Sequence, residues 1–534
     1  MVARELPTHR PGDATLSYPF RGRLLAATLL LAPGLLAAQA PASTEARAAR
    51  ATLEGAAASI TSADVARRIG IIAHDSMLGR DTPSRGLELT AQYVADQFRR
   101  FGLTPGGEDG GWFQRYAVTR RKLDLAGSRV VFRAGGRTAV AKFDRAARYT
   151  RGEIPEQPVT GPAVLLGGTL TPADVSGMPI EGKLVLYAPN DSPRALRGAV
   201  QVERALRLQS PKAVVLISRV DSAAFAARLP RSAPERTGID LRLENPPFVE
   251  VTESAVLDVL RAAGVSLTEA REAAGPLLRE LPGLGVRLEL RDSVLSRHLA
   301  PNTIGILEGS DPALKREYVV YSAHMDHIGI TPGRADSINN GADDNASGTA
   351  GVIELAEAFS RPGARPRRSV VFLTVSGEEK GLWGSRYFSE HPTLPLDDIV
   401  ANVNIDMIGR NWPDTIVAIG KEHSDLGATL ARVNAAHPEL GMTAIDDRWP
   451  EERFYFRSDH YNFARKGVPV LFFFNGVHDD YHAVTDSPEK IDAEKESRIL
   501  RLLFYLGQEI ANASERPRWN PASRADIVEP SLTP

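Results

Sequence analysis

The chain has 534 residues, 43% hydrophobic and 24% charged, and a net charge of −2 at pH 7. That length exceeds one ordinary domain and suffices for two, each with its own core. The near-neutral balance excludes a bulk pull toward nucleic acid or membrane, and the lack of cysteine excludes disulfides, thiolate catalysis and Cys-based zinc sites.

Arg21 and Arg23 precede the apolar run Leu24–Ala38, and "AQA" at Ala38–Ala40 fits a small-residue cleavage site. Residues 1–40 are expected to be a signal peptide, which makes the protein secreted or periplasmic. Pro33 and Gly34 break the run, and it is too short for a span, so no stable membrane anchor is expected. An Ala-rich lead-in follows to Ala58. From residue 59 to 121, "SADVARRIGIIAH" and "GLELTAQYVADQFRRFGL" have helical spacing, with Ala91, Val94, Ala95 and Phe98 on one face. Gly102 ends the second helix.

Residues 122–292 change texture. Short β-like runs such as "SRVVFRA", "GKLVLYA" and "FVEVTE" alternate with Gly/Pro turns, as in a separate β-rich insert. "LPRSAPERTG" within it is expected as an exposed loop. Residues 293–515 then alternate strand and helix. "EYVVYSA", "RSVVFLTV", "DIVANVNIDMI" and "VPVLFFFN" are strands; "ASGTAGVIELAEAFS", "LGATLARVNAAH" and "KESRILRLLFYLGQEIANAS" are helices. This predicts an α/β domain: a mixed, mostly parallel sheet flanked by helices. Residues 516–534 are expected to form a flexible tail.

Several strands of this last part run into polar residues. "EYVVYSA" leads to His324, "RSVVFLTVSG" to Glu378 and Glu379, and "ANVNI" to Asp406. Ligand sites of open α/β sheets lie beyond the carboxyl ends of strands. "GADDNASG" adds Asp343 and Asp344 ahead of a helix, and "YHAVTDSP" adds His482 after the last strand. Each piece alone is weak: an "EE" pair is ordinarily solvated surface. Together they put acids and imidazoles at one edge. Crowded carboxylates repel and raise one another's pKa, and a divalent cation removes that cost. The donor set suits zinc better than manganese or cobalt. One tetrahedral ion cannot use every group, whereas two ions about 3.5–4 Å apart, bridged by a carboxylate, can. Of two adjacent glutamates, one can ligate while its neighbour serves as general base. Asp326, two residues beyond His324, is a candidate orienter of that imidazole. His327 and His478 lie beside proposed ligands without being required, and His460 is a candidate for the cleft wall.

The motifs "HMDHIG", "GADDNASG", "SGEEKGLWGS", "NIDMIG", "RSDHYNFARKGVP" and "YHAVTDSPEKI" occur in the order and rough spacing of a known family. The chain resembles the co-catalytic two-zinc aminopeptidases, a family that also holds glutamate carboxypeptidases and glutaminyl cyclases. The resemblance implies the zinc exopeptidase fold and two zinc ions per chain. It implies that Asp344 bridges the metals, that His324 and Asp406 complete one site, and that Glu379 and His482 complete the other. It makes Glu378 the general base, acting on a metal-bound hydroxide, and Tyr481 a stabiliser of the oxyanion. It also implies a cis peptide at Asp344–Asn345. The insert resembles a protease-associated domain through "IEGKLVLYA", "AVVLIS" and "PPFVEVTESAVLDVLRAAG". The implied activity is cleavage of the N-terminal bond of peptides or proteins. The alternatives are a carboxypeptidase using Arg453, Arg457 or Arg465 for the substrate carboxylate, a cyclase with one zinc, and a peptide-binding module with a structural metal site.

Overall fold

The computed structural model describes residues 44–190, 193–229, 235–241, 245–333 and 335–529. The expected signal peptide lies outside the described residues. Residues Ala49–Pro534 make one compact unit, and the account below concerns that unit.

Its principal sheet is mixed. The central strands Ser369–Val375, Tyr318–His324, Ile399–Ile405 and Val470–Phe473 run parallel in that spatial order. They are mostly apolar and, apart from the half-buried Tyr318, buried, as strands covered by helices on both sides are. The expected parallel character holds for this centre. The flanks are antiparallel: Asp292–Leu307 pairs with Ser369–Val375 on one side, and Thr415–Ile419 pairs with Val470–Phe473 on the other. Helices Ser62–Ile72, Gly348–Phe359 and Ala493–Asn512 pack together over one face. Helices Trp383–Glu390 and His460–Ala464 lie with the core of the other. Gly348, at the start of its helix, permits close approach to the sheet: a Cβ there would sit 2.3 Å from the carbonyl oxygen of Ile405.

Residues 122–292 build two further sheets. One has six strands, from Leu277–Glu280 through Ala163–Gly168 to Ala147–Arg151, and one has four, centred on Arg129–Ala134 and Gly285–Glu289. Their apolar faces enclose a core separate from those of the principal sheet. The junction is a two-stranded ribbon. Phe113–Leu123 pairs with Asp292–Leu307 along its length, so Leu123 faces Asp292 and the two ends of the insert lie side by side at the tip of the ribbon. Residues 235–238, expected in an exposed loop, instead belong to a strand, Glu235–Ile239, on the outer edge of that ribbon, paired with Phe113–Leu123. Thr237 and Ile239 suit a strand, and the edge of the ribbon supplies the hydrogen bonds that no isolated loop would have.

The expected flexible tail is also corrected. Residues 516–529 are held against the body built on the principal sheet. Trp519 donates from Nε1 to the Gly467 carbonyl at 2.8 Å, and Pro521–Ile527 forms a helix capped by Asn520. Ile527 is buried in the second core, and Glu529 pairs with Arg465 at 2.8 Å. Two large apolar side chains, Trp519 and Ile527, carry this docking. Ile527→Ala is expected to lower unfolding stability by about 2–4 kcal/mol through lost burial and the resulting cavity. Denaturant titration checks this, and an unchanged midpoint would mean that the segment does not contribute to the core.

Candidate metal centre

The parallel strands deliver His324, Glu378, Glu379 and Asp406 to one edge because each lies at, or just beyond, a carboxyl end of a strand. Asp344 comes from the turn Ala342–Ser347, which precedes helix Gly348–Phe359. The Asp344–Asn345 peptide is cis. His482 follows the last central strand and sits at φ 56°.

Two sets of ligand atoms converge. His324, Asp344 and Asp406 form the first: His324 Nε2 lies 3.4 Å from Asp344 Oδ1 and 3.3 Å from Asp406 Oδ1. Asp344 is shared with a second set around Glu379. There His482 Nε2 lies 3.2 Å from Asp344 Oδ2 and 3.0 Å from Glu379 Oε2. All five residues predicted as ligands are therefore brought together. The geometry adds one more. His327 Nδ1 lies 2.8 Å from Glu379 Oε1 and 3.7 Å from Asp344 Oδ2, so two imidazoles flank the second set. The signal was present as a second histidine three residues after His324, but loop spacing alone does not say which histidines turn inward.

Neighbouring groups hold these ligands in place. Asp406 Oδ2 accepts from Ser458 Oγ at 3.0 Å, which in turn accepts from Asn404. Thr349 donates to the His324 carbonyl at 2.8 Å, and Asn345 donates to that of Ile405 at 3.0 Å. Asp486, inside the motif "YHAVTDSP" but not singled out by sequence, accepts the main-chain N–H groups of Asp343 and Asp344. Asp343 accepts from Gly409 N at 2.6 Å. Asp326 does not orient His324 through its carboxylate. That group is 3.7 Å from Nδ1, whereas the main-chain oxygen of Asp326 is 3.2 Å away. The Asp326 carboxylate instead accepts the N–H of Glu378 at 3.2 Å, which fixes the backbone of the proposed base.

The electrostatics fit a cation-binding edge. Burial drives Asp344 above its ordinary value, with Glu379 adding to the effect, and burial lifts Asp326 to about 7. Burial raises Glu378 well above the usual carboxylate range. It lowers His324 and His482, yet nearby carboxylates outweigh it. His324 ends well above an ordinary imidazole, chiefly through Asp406 and Glu378, and His482 ends at about 10, through Asp344 and Glu379. Protonated imidazoles thus offset the carboxylates in the protein alone. Asp344 Oδ2 is buried and faces ring nitrogens, His482 Nε2 at 3.2 Å and His327 Nδ1 at 3.7 Å. Two nitrogen–oxygen sets that share one buried carboxylate fit zinc.

A small cavity of about 50 Å³ opens at the first set. His324, Asp344, Glu378, Asp406 and Tyr481 line its chemical side; Met407, Phe454, Phe472, Phe474 and Val477 line an apolar side, with Arg457 present. Tyr481 stacks on the His482 ring at 3.9 Å between centroids. His460 is not part of the wall: it is fully buried and stacked on Phe472. A larger cleft of about 980 Å³ lies along the ribbon and insert, lined by Arg121, Arg236, Asp240 and Asp292 among others. Neither ligand set adjoins it, so the chemistry belongs to the smaller cavity.

Comparison with known proteins agrees with this location. Residues 302–507 match the model of peptidase family M28. Aminopeptidase YwaD of Bacillus subtilis (strain 168) is 24% identical over 280 residues, covering 49% of this chain and 53% of that protein. Leupeptin-inactivating enzyme 1 of Streptomyces exfoliatus is 33% identical over 159 residues, 29% of this chain and 34% of that one. A probable zinc metalloprotease of Pyricularia oryzae is 27% identical over 263 residues, 41% and 51% of the two chains. The chain thus spans from a third to about half of the length of these curated relatives. Among solved structures, BSAP, a zinc aminopeptidase from Bacillus subtilis, aligns over 88% of this chain and 98% of its own at 18% identity and a TM-score of 0.43. The stretch that matches the model of peptidase family M28, residues 302–507, carries both ligand sets.

Proposed function

We propose that this protein is a zinc-dependent exopeptidase, an aminopeptidase that holds two zinc ions and removes the first residue of peptides or proteins. The observation that carries the reading is the pair of ligand sets sharing Asp344, with Glu378 beside them in the cavity and in neither set. His324 and Asp406 would hold one ion, Glu379 and His482 the other, and Asp344 both. His327 is a further candidate for the second ion. Bound zinc would supply an acidified water and a polarised carbonyl.

The chain's own groups then divide the work. Glu378 accepts a proton from the attacking water and returns it to the leaving amine; its raised proton affinity suits both steps. Tyr481 lines the cavity, which supports its hydroxyl as a donor to the developing oxyanion. The surrounding carboxylates favour a free α-ammonium on the substrate, which supports attack at the N-terminus. The leader Arg21–Ala40 supports action outside the cytoplasm. The likeness of the insert to a protease-associated domain supports a role in limiting access by large substrates.

One observation favours the carboxypeptidase reading enough to keep it as second. Arg457 lines the cavity, its guanidinium over the Phe454 ring and only 3.4 Å from Glu452. Arg465 does not support it, being occupied by Glu390 and Glu529.

Glu378→Gln is expected to lower kcat by about 10²–10⁴-fold while leaving zinc content unchanged. Steady-state kinetics with metal analysis checks this; full activity, or loss of the metal, would remove Glu378 from the role of base. The apolar wall and Arg457 predict a preference for large apolar first residues over Lys and Arg. Arg457→Glu is expected to raise kcat/KM for a lysyl reporter relative to a leucyl one about tenfold, which corresponds to ~1.4 kcal/mol. A substrate with a blocked amine and free carboxylate that turns over faster than the leucyl reporter would favour the carboxypeptidase.

A further inference from the structure

Arg80 is fully buried, and its backbone sits at φ 52°. A guanidinium removed from water must find partners or unfold its surroundings. Among the described residues, Arg80 forms no ion pair. It spends its N–H groups on main-chain carbonyls: Nε donates to Met325 at 2.9 Å, one terminal nitrogen to Ile72 at 3.0 Å and Asn340 at 2.6 Å, and the other to Gly341 at 2.9 Å. Its own carbonyl accepts the N–H of His327 at 3.3 Å.

The positions of these acceptors matter more than their number. Met325 lies between His324 and Asp326, and His327 flanks Glu379. Asn340 and Gly341 lie just ahead of Asp343 and Asp344, with Ala342 between. Arg80 therefore touches the loop that carries the first imidazole and the loop that carries the shared carboxylate. It arrives from a segment on the far side of the insert in sequence. The two loops are joined next to it as well: Gly329 donates to the Gly79 carbonyl at 2.9 Å, and Asn339 donates to that of Gly329 at 3.0 Å. Gly79 is required there, because a Cβ would sit 2.4 Å from the Gly329 oxygen.

We propose that Arg80 is a positioning residue of the metal centre: its guanidinium ties the loop after His324 to the loop before Asp344 and holds both ligand sets at bridging distance before any ion binds. Only a planar fork with donors in several directions can reach these carbonyls at once. Lysine keeps the charge but offers a single point. Burial pulls Arg80 down to about 10, and the charges of Asp344, Asp326, Asp486 and Glu379 nearby oppose that pull, so it stays protonated at neutral pH. The comparison with lysine therefore holds charge constant and changes only the bracing. The inference rests on the two-zinc reading above.

The test uses the full chain. Arg80→Lys is expected to bind zinc at least tenfold more weakly in competition with a chromophoric chelator, the usual scale for loss of a group that orients ligands. Arg368→Lys is the control. Arg368 is equally buried and also bonds carbonyls, those of Ile510 and Ala513, but it precedes the strand Ser369–Val375 at the end opposite Glu378. That variant should lose thermal stability and keep its zinc affinity. Hydrogen exchange on the zinc-stripped wild type covers the case in which Arg80→Lys does not fold: amides of residues 325–329 and 339–344 should remain protected. Unchanged affinity in Arg80→Lys, an equal loss in Arg368→Lys, or free exchange of those amides would overturn the proposal. A wild type that binds no zinc would instead sink the metal reading, while the exchange result would still judge the brace.

Discussion

Repulsion between carboxylates at one end of a sheet is the constraint on which the rest depends. Asp344 stands within 3.4 Å of His324 and 3.2 Å of His482, and Glu379 stands within 3.0 Å of His482. Such a cluster is unfavourable on its own, since burial and like charge both oppose ionisation. Its persistence requires compensation from every side. Imidazoles meet the carboxylates directly, Asp486 is held by two main-chain N–H groups, and Arg80 supplies a cation a short distance behind. The fold converts this expense into a donor set that a dication can satisfy.

The parallel centre of the sheet makes the convergence possible. Four strands with their carboxyl ends together present four turns to the same volume, and each turn contributes a polar side chain. Helices cover both faces of these strands, and the polar side chains within them, Ser322, Asn402 and Asn404, bond one another and Ser458. Asp344 is the exception, coming from a turn ahead of a helix. Gly348 lets that helix start against Ile405, one residue before Asp406. Packing and ligand placement are thus the same contact viewed from two directions.

Much of this was legible in the residues. Strand ends are marked by an apolar run that stops at an acid or a histidine, so His324, Glu378, Glu379 and Asp406 could be placed without coordinates. The motifs "GADDNASG" and "YHAVTDSP" bring Asp343, Asp344 and His482 to the same edge, but the choice of Asp344 over Asp343 as the shared ligand needed the family resemblance, since a turn has no periodicity to fix which side chain turns inward. His327 was left aside for the same reason. Asp326 was given the right neighbour but the wrong atom, because sequence shows which residues are close and not whether a carboxylate or a carbonyl does the bonding. The docking of the tail escapes sequence because Trp519 and Ile527 are single apolar residues in a polar stretch; two such anchors suffice when they pack against the core beside Phe463, Ala464 and Val468. The strand at residues 235–239 pairs with residues more than a hundred positions away, a relation that local pattern does not contain.

The central claim is that one carboxylate, Asp344, serves two ions. Crystals grown with zinc and measured on both sides of the zinc absorption edge test it most directly. Two anomalous peaks about 3.5–4 Å apart are predicted, one beside His324 and Asp406, the other beside Glu379 and His482, with an Asp344 oxygen on each. A single peak, or two that leave Asp344 out of either coordination sphere, would contradict it.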